Sequence, residues 1–574
     1  MFAGVFLSHL LPADDIQWTG VSGTGFADNA NWSGNVAPAD HISTDIASFT
    51  GTLTANQPVI SGTRSIGGLL FGSTGWQISG GTLKIGSSGV DASAVTSGEI
   101  TLASAIQVAA TQTWLVGTGG TLDINGNAAS IDTNGSNPVW TLTVGDATNT
   151  GTVRFGSDVA SRSLKVYLNV AGGTVDLNAT TLTLSGLRGS GTITNSGATA
   201  ASVVIDSRNA DSTFAGTLSG NLSVTMGDGT NTSNKVQSLN GNNSFTGGLT
   251  IKSGTVRFGQ STSVGTGTIT LGDSAKAGID ATLYANGTGS TAFADAITNA
   301  IQVVGTGTNT LGVSSYSPTF SGAITLNNAS LTLASQNNNG STLTITGGIT
   351  GTGDVTTFVS GPTAAAATSR IVISGAAVNH TGALIITSGT KGAGTLAGTV
   401  INAVIGSNVT GVSQTSADSS LTLAGANTYT GNTVISAGNF TLASTGALVF
   451  DVAKGNQLQL STTGTVVVDG IFNVNFGSLL PTGDTSVTLV SVTGSAVTYG
   501  STFAVNIGND SGETFSLTAA NAYSLTNALG TWAFDLTGGE LSFVAAAVPE
   551  PAAFGLILGF LTLAVVALRR QRNR

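Results

Sequence analysis

Two stretches of this chain read almost alike, and they decide its fold. Residues 238–254 read SLNGNNSFTGGLTIKSG, and residues 422–438 read TLAGANTYTGNTVISAG. The two segments align without a gap. Leucine, an aromatic residue and isoleucine keep the same positions in both, and both end on glycine. Around isoleucine, apolar residues alternate with Thr, Ser or Lys in the period of two that a half-buried strand requires. The pattern predicts stacked β-strands joined by glycine turns.

Weaker copies of this pattern occur along the chain. A third copy runs from Gly375 to Gly389, carries one inserted residue and has His380 in the aromatic position. Short strands that begin Gly-Thr-Leu or Gly-Thr-Val recur at irregular spacing, for example from Gly120 and from Gly173. Such a unit leaves an apolar face that it cannot cover alone, so neighbouring units must stack and bury a common core.

The best copies, residues 238–258 and 422–442, resemble the autotransporter-associated β-strand repeat of large bacterial surface proteins. The resemblance implies an all-β chain whose residues 73–465 form a right-handed parallel β-solenoid. For the second copy we expect Leu423, Tyr429 and Ile435 to point into the core. Asn427, like Asn243 of the first copy, is then expected at a corner, with its side-chain amide stacked on that of an Asn one coil away.

Composition agrees with an all-β class. The chain has 81 glycines among 574 residues, 40% hydrophobic residues and only 8% charged residues, whereas a disordered chain would be poor in apolar residues and rich in charge. The net charge of −10 argues against nucleic acid as a partner, because binding to phosphates needs clustered Lys and Arg. Cysteine is absent, which excludes disulfides and thiolate metal sites.

The two flanks of the repeat region differ from it. Residues 14–72 are predicted to form an N-terminal β cap. The opening found ahead of such repeats is resembled by four motifs within this range, Trp18-Thr19-Gly20, Asn29-Ala30-Asn31-Trp32, Val36-Ala37-Pro38 and Ala47-Ser48-Phe49. Five of the six tryptophans lie in the first quarter of the chain: Trp18, Trp32, Trp76, Trp114 and Trp140. These rings either close the end of the solenoid or form a platform that stacks on sugar rings. Residues 466–545 are predicted to form a terminal β cap or a small sandwich with antiparallel strands.

The tail at 546–574 has three parts. Pro-Glu-Pro is followed by an unbroken apolar run from Ala552 to Leu568 and then by a cluster of arginines. The run predicts a helix of roughly 25 Å, against a hydrocarbon core of about 30 Å, so it is just long enough for a transmembrane helix. Positive flanks stay cytoplasmic, which places the rest of the chain outside the inner membrane. The residues concerned are Val548, Pro549, Glu550 and Pro551, and Arg569, Arg570, Arg572 and Arg574.

This order resembles the PEP-CTERM sorting signal of Gram-negative bacteria that make exopolysaccharide. The resemblance implies that the membrane protease exosortase is a transient partner, which removes the helix and passes the protein to the cell surface or extracellular matrix. The simpler alternative is an ordinary single-span anchor. Met1 to Ala13 looks like the remnant of an export signal, and we expect the true start codon upstream.

The sequence predicts neither an enzyme nor a cofactor. His9, His41 and His380 are the only histidines, and no nucleophile motif with a plausible histidine partner occurs. The alternative is a β-solenoid polysaccharide lyase or hydrolase, whose sites gather carboxylates from adjacent coils. Its candidate residues are Asp123, Asp176, Asp206 and Asp211.

Gly-Asp pairs at expected corners raise the question of calcium. The aspartates are Asp146, Asp228, Asp273, Asp354 and Asp484, and they do not form the tandem repeat that loads calcium. We favour the interpretation that each Asp hydrogen-bonds its own turn, and we predict no metal site. The sequence as a whole therefore predicts an exported structural or adhesive surface protein associated with exopolysaccharide.

Overall fold

The structure, a computed structural model, describes most of the chain. The described residues are 14–130, 140–156, 158–206, 210–227, 235–286, 293, 295–336, 340–360, 368–389, 395–510, 512, 514–519, 522–547 and 551–572. The chain divides into two compact units, Met1–Val409 with Asp418–Ser420 and Thr410–Ala417 with Leu421–Arg574.

Short β-strands make up nearly all of the regular structure. In chain order, β1 to β38 are Asp15–Gln17, Ile46–Phe49, Thr63–Phe71, Gln77–Ile78, Thr82–Ala92, Gly98–Leu102, Ala105–Val108, Gln112–Val116, Gly120–Ile124, Ala128–Ser130, Thr141–Val144, Thr152–Phe155, Ser161–Ser163, Tyr167–Val170, Thr174–Asp176, Thr181–Leu184, Gly186–Gly189, Thr192–Thr194, Ala201–Ile205, Ser212–Phe214, Thr217–Leu218, Leu222–Met226, Val236–Leu239, Leu249–Ile251, Gly254–Phe258, Ile269–Leu271, Ala281–Asn286, Ile301–Val304, Asn309–Ser315, Thr319–Phe320, Ile324–Asn327, Leu331–Ser335, Thr342–Ile345, Ile349–Thr352, Val355–Val359, Thr368–Ile373, Gly382–Ser388 and Thr395–Ile401.

The remaining strands are β39 to β54: Val409–Gln414, Ser420–Leu423, Thr433–Ile435, Asn439–Leu442, Ala447–Asp451, Leu458–Leu460, Val466–Val468, Ile471–Asn475, Thr485–Thr488, Val490–Val492, Val497–Tyr499, Ala504–Gly508, Thr514–Thr518, Ser524–Thr526, Gly530–Phe534 and Glu540–Ala545. The described helices are the 3-10 helices Asn29–Asn31, Ser33–Asn35 and Ser261–Val264 and the α-helix α1, Pro551–Gln571.

The first unit is a parallel β-solenoid. From β14 to β22 the chain visits three sheets in turn and returns to the first, so one coil has three sides. Sheet A contains β14, β17, β20, β23, β25, β27, β29, β32, β35 and β37; sheet B runs from β13 to β34 in nine strands; sheet C runs from β4 to β21 in seven. Neighbouring strands are parallel, as in the pairs β14 with β17 and β16 with β19. The predicted parallel solenoid is confirmed.

Alternation along each strand separates core from surface. In β16, Leu182 and Leu184 are fully buried, while Thr181 and Thr183 are half-buried on the outer face. The directly opposed residues of the next coil, Val203 and Ile205, are also buried. Apolar residues therefore stack on apolar residues from coil to coil, and this continuous contact stabilises the solenoid without disulfides.

Glycine ends both copies of the repeat for a conformational reason. Gly254 has φ of 79° and Gly438 has φ of 78°, in the left-handed region that other residues avoid. Each glycine stands at or just before the next strand of its coil. These two turns were predicted from the sequence and are confirmed.

Aromatic rings pack together near the start of the first unit. The ring of Trp32 lies 5.0 Å from that of Trp18 and 5.0 Å from that of Phe26. Phe49 continues the cluster and lies 5.3 Å from Trp76, and all five side chains are buried. The cluster supplies the end of the sheets with apolar contacts that a neighbouring coil would otherwise provide.

The second unit contains both parallel and antiparallel strands. Parallel pairing continues past residue 466, where the repeat pattern fades, and includes the pairs β45 with β49 and β46 with β50. Antiparallel pairing joins β50 to β51, and also links β47, β54, β53 and β52 into one small sheet. Trp532 of β53 is buried there against Phe543, with ring centroids 4.4 Å apart.

The apolar tail forms helix α1. Its described side chains begin at Leu558, and Phe560, Leu563 and Leu568 are among those with more than half of their surface exposed. The sequence predicted a membrane span from Ala552 to Leu568. Within the described part of the chain, no helix combines the length and the apolar character that crossing a membrane requires.

Candidate functional site

The outer surface of the solenoid carries rows of hydroxyl groups. On sheet A, five threonines on five successive strands oppose each other directly: Thr255, Thr282, Thr310, Thr332 and Thr356. All five are half-buried, and each precedes a buried inward residue in its strand. Neighbouring strands lie about 4.8 Å apart, so the row presents a hydroxyl and a methyl group at that interval.

Two further rows occur on the other sheets of the first unit. The row on sheet C is unbroken over five strands, and that on sheet B spans nine strands with Val204 and Gln302 as its two interruptions. The members on sheet C are Thr121, Thr152, Thr174, Thr192 and Thr217. The hydroxyl-bearing members on sheet B are Ser163, Thr183, Thr225, Thr250, Thr270, Thr325 and Thr350.

Charged residues gather beside the row on sheet C. Arg154 directly opposes Asp123 on one neighbouring strand and Asp176 on the other. Its Nε lies 3.0 Å from the Asp123 carboxylate, and its Nη2 contacts Glu99. Burial raises the pKa of the Asp123 carboxyl, while the hydrogen bond from Arg154 opposes that rise. The arrangement is a small ion-pair network in which Arg154 engages two carboxylates.

The four candidate aspartates of the enzyme alternative do not gather on one face. Asp123 and Asp176 share the outer face of sheet C, but Asp206 follows a strand of sheet B. Asp211 precedes a strand of sheet A and accepts a hydrogen bond from the Val236 amide at 3.0 Å. Asp176 accepts bonds from the Ser196 amide and hydroxyl. Among the described residues, no group of three or more His, Asp or Glu side chains is arranged to hold a metal ion.

The corner aspartates hydrogen-bond to main-chain amides. Asp146 accepts bonds from the amides of Thr148 and Asn149, each at 2.7 Å, and its side-chain bonds to Asn149 help to hold its pKa far below the usual range. Asp273 accepts from the Ala275 amide at 2.9 Å. Asp354 and Asp484 instead accept from amides of distant residues, Ala383 and Ala545, and Asp228 lies outside the described residues.

Four of the five tryptophans in the first quarter of the chain are unavailable to a ligand on the surface. Trp18, Trp32, Trp76 and Trp114 are at most 1% exposed. Their ring nitrogens donate to partners inside the protein, as Trp32 does to the Phe26 carbonyl at 2.7 Å. Trp140 is half-buried. A stacking platform for sugar rings built from the four buried rings is therefore wrong, and their packing explains why they occur together.

The repeat residues occupy the predicted positions, with one difference. Leu423, Tyr429 and Ile435 are buried, as predicted. Asn243 and Asn427 are also buried, but their side chains bond to the main chain. Asn243 accepts from the Leu218 amide at 2.8 Å and donates to the Ser263 carbonyl, and Asn427 donates to the Ala447 carbonyl at 3.0 Å. Asn243 thus bridges two corner segments through main-chain bonds, where stacked side-chain amides were expected.

Two buried polar side chains went unrecognised in the sequence. Arg162 is fully buried, donates to four main-chain carbonyls, and has its pKa lowered to about 10 by burial. His380 is fully buried, and its Nε2 lies 3.3 Å from the Ala383 carbonyl. For His380 the signal was present, because it occupies the position where the other copies have Phe or Tyr.

Of the predicted sorting residues, Val548, Pro549, Glu550 and Arg574 lie outside the described residues. Pro551 begins α1, and Arg569 and Arg570 lie in its last turn. The leader at residues 1–13 also lies outside them.

Comparison with known proteins bears on the repeat alone. Residues 236–258 and 418–443 match the model of the passenger-associated-transport-repeat family. No curated protein and no solved structure matches the chain. The matched segments coincide with the two best copies read from the sequence, and together with the parallel solenoid they fit a surface protein of the passenger type.

Proposed function

We propose that this protein is an exported structural or adhesive component of the cell surface or extracellular matrix that holds exopolysaccharide along its solenoid. The observation that carries the proposal is the set of threonine rows, above all the row from Thr255 to Thr356 on sheet A. A row of this kind repeats a donor, an acceptor and a methyl group at a fixed interval. A polysaccharide also repeats hydroxyl groups and apolar ring faces along its length, so many weak contacts can add up.

Export and sorting complete the proposal. The tail resembles a PEP-CTERM signal, so exosortase is the proposed transient partner and Val548 to Pro551 the proposed recognition motif. In this scheme the apolar run from Ala552 to Leu568, taken from the sequence, holds the chain at the inner membrane of a Gram-negative cell until cleavage. The repeats support a surface location through their family match.

The test compares two matched sets of substitutions in the sheet A row. Thr→Val at Thr255, Thr282, Thr310, Thr332 and Thr356 removes the hydroxyls but keeps side-chain shape and strand preference. Thr→Ser at the same positions keeps the hydroxyls. We expect exopolysaccharide from the host to retain the native and Ser chains in a co-sedimentation assay and to retain the Val chain much less. Equal retention of all three would disprove the role of this row.

A polysaccharide lyase or hydrolase is the second candidate function. The observation in its favour is the buried Asp123 carboxyl, whose pKa is raised and which lies beside Arg154 and Glu99 on an exposed sheet. Against an enzymatic function, Arg154 already pairs with the carboxylates of both Asp123 and Glu99.

A further inference from the structure

A recess of about 160 Å³ opens on the outer face of the sheet formed by β43, β46, β50 and β51 in the second unit. It is lined by residues of two neighbouring rows on this face and by the adjacent backbone. The lining side chains carry amide groups, one hydroxyl or only aliphatic groups, and none of them is charged. The lining residues are Val449, Asn473, Val474, Asn475, Asn506, Ile507, Gly508, Asn509 and Thr514.

Gly508 lines the recess at a position that has no side chain. In one row, Asn475 of β46, Gly508 of β50 and Thr514 of β51 oppose each other directly. Asn475 and Thr514 project side chains from the outer face, whereas Gly508 between them has none. The missing side chain leaves a gap one strand wide, bordered by the amide of Asn475.

The other row is a chain of hydrogen bonds with a fixed direction. Ser516 donates its hydroxyl to the Asn506 oxygen at 2.6 Å, and the Asn506 nitrogen donates to the Asn473 oxygen at 3.0 Å. The three residues are directly opposed on β51, β50 and β46. Each amide therefore accepts from one side, and the donor end of the chain is the Asn473 nitrogen.

This row of side-chain hydrogen bonds ends next to a valine. The residue opposite Asn473 on the next strand is Val449, which offers no side-chain acceptor. The Asn473 oxygen accepts from the Asn506 nitrogen, which leaves the Asn473 nitrogen as the last donor of this row. Among the described residues, that nitrogen has no hydrogen-bond partner. A donor without a protein partner thus stands in a recess that the Val449 side chain also lines.

We propose that this recess binds one neutral sugar residue of a polysaccharide. A sugar hydroxyl accepts from the Asn473 nitrogen, and the apolar face of the ring lies on Val449. The recess, at about 160 Å³, is smaller than the pockets of about 300–1,000 Å³ that hold drug-sized ligands, so its volume suits a single sugar ring. A uronate is disfavoured, because the lining has no cation and the Asp510 carboxylate, which accepts from Asn475 at 3.1 Å, lies beside it. The site deepens the proposed function and rests on it for the identity of the ligand as a glycan.

Saturation-transfer NMR on the full chain tests the site. The probes are glucose, galactose, mannose and N-acetylglucosamine as neutral sugars and glucuronate as the charged one. We expect saturable transfer to at least one neutral sugar. Gly508→Val fills the gap on the outer face and should abolish the transfer, while Asn473→Ala should weaken binding about fivefold, the loss typical of one neutral hydrogen bond. Asn169→Ala, which removes an outward amide on sheet A, should bind as the native chain does.

Three results would overturn the site: no saturable transfer to any neutral sugar, equal transfer in the native chain and both recess variants, or stronger binding of glucuronate than of every neutral sugar. Asn473→Ala keeps the test decisive if Gly508→Val fails to fold. The co-sedimentation assay separates this result from the proposed function. Exopolysaccharide retained through the threonine row without sugar binding in the recess contradicts the site alone. Sugar binding that Gly508→Val abolishes, without any exopolysaccharide retained, contradicts the proposed function alone.

Discussion

The phenol of Tyr429 makes a hydrogen bond of 2.6 Å to the hydroxyl of Thr433, and both side chains are buried in the solenoid core. The equivalent residues of the other close repeat are Phe245 and Leu249, which are also buried. The two positions therefore change together. A buried hydroxyl needs a partner, and each copy either has both hydroxyls or has neither.

This pairing predicts the outcome of a double-mutant cycle. Tyr429→Phe leaves the Thr433 hydroxyl buried without its partner and should lower the local opening free energy by about 1–2 kcal/mol. Adding Thr433→Leu recreates the pair found in the other copy and should recover most of that loss. Hydrogen exchange of the peptide 429–435 measures both effects. Additive losses in the double variant would show that the two residues are independent.

His380 should make its coil sensitive to acid. Burial lowers the pKa of the imidazole below its ordinary value, and the nearby Asp354 carboxylate and the Ala383 carbonyl oppose this shift only in part. Below about pH 6.5 the unfolded chain takes up a proton that the folded chain excludes, so stability falls as pH decreases. Above that pH the neutral ring carries no such penalty.

The matched variant is His380→Phe, which restores the aromatic residue of the repeat. We expect hydrogen exchange of residues 378–389 to accelerate between pH 7 and pH 5 in the native chain, after correction for intrinsic exchange, and to stay constant in the variant. The same acceleration in both chains would contradict the assignment to His380.

Arg162 should be essential to the corner that it occupies. Its guanidinium donates to the carbonyls of Ile124, Gly126, Gly156 and Val159. Arg162→Leu removes this donor, and of the four acceptors the Ile124 carbonyl keeps a hydrogen bond from the Gly156 amide at 3.0 Å. We expect a loss of about 3–5 kcal/mol in local stability. Arg162→Lys keeps the charge but not the planar fork and should be intermediate. Faster hydrogen exchange in the strands ending at Ile124 and Phe155 is the readout, and unchanged exchange in Arg162→Leu would refute the role.

Glu550 is expected to control processing of the tail. Glu550→Ala should leave a full-length chain in the membrane fraction, while Glu540→Ala, an exposed carboxylate in β54, should be processed as the native chain is. Fractionation and intact mass of the surface and membrane pools give the answer. Normal cleavage of the Glu550 variant would rule out the proposed sorting signal.

The chain is expected to lack lyase and hydrolase activity. We predict no new reducing ends and no unsaturated uronates after the purified chain is incubated with host exopolysaccharide. Asp123→Asn is the decisive variant, because Asp123 is the buried carboxylate of the charged cluster. Turnover in the native chain that Asp123→Asn abolishes would favour the enzyme over the structural protein.

Much of the solenoid could be predicted because its rule is local. Alternation at Leu423 and Ile435 tells inside from outside within a single strand, and the glycines at 254 and 438 mark turns by their own conformation. The buried aromatic position follows from the same pattern, so even His380 could be placed inward from its alignment. The sequence by itself therefore determined the class of fold, the direction of the repeat side chains and the polar character of the outer faces.

Only the tertiary structure decided which residues of different coils meet. Arg162 donates a hydrogen bond to the main-chain carbonyl of Ile124, which lies 38 residues earlier in the sequence. No local sequence pattern encodes a contact over that separation. The separation of Asp206 and Asp211 from Asp123, and the recess beside Asn473, depend equally on the register between strands. Register is set by coil lengths that vary along this chain, and a shift of one residue turns every side chain to the opposite face. Surface sites of a solenoid are therefore products of stacking, which the sequence of a single coil does not contain.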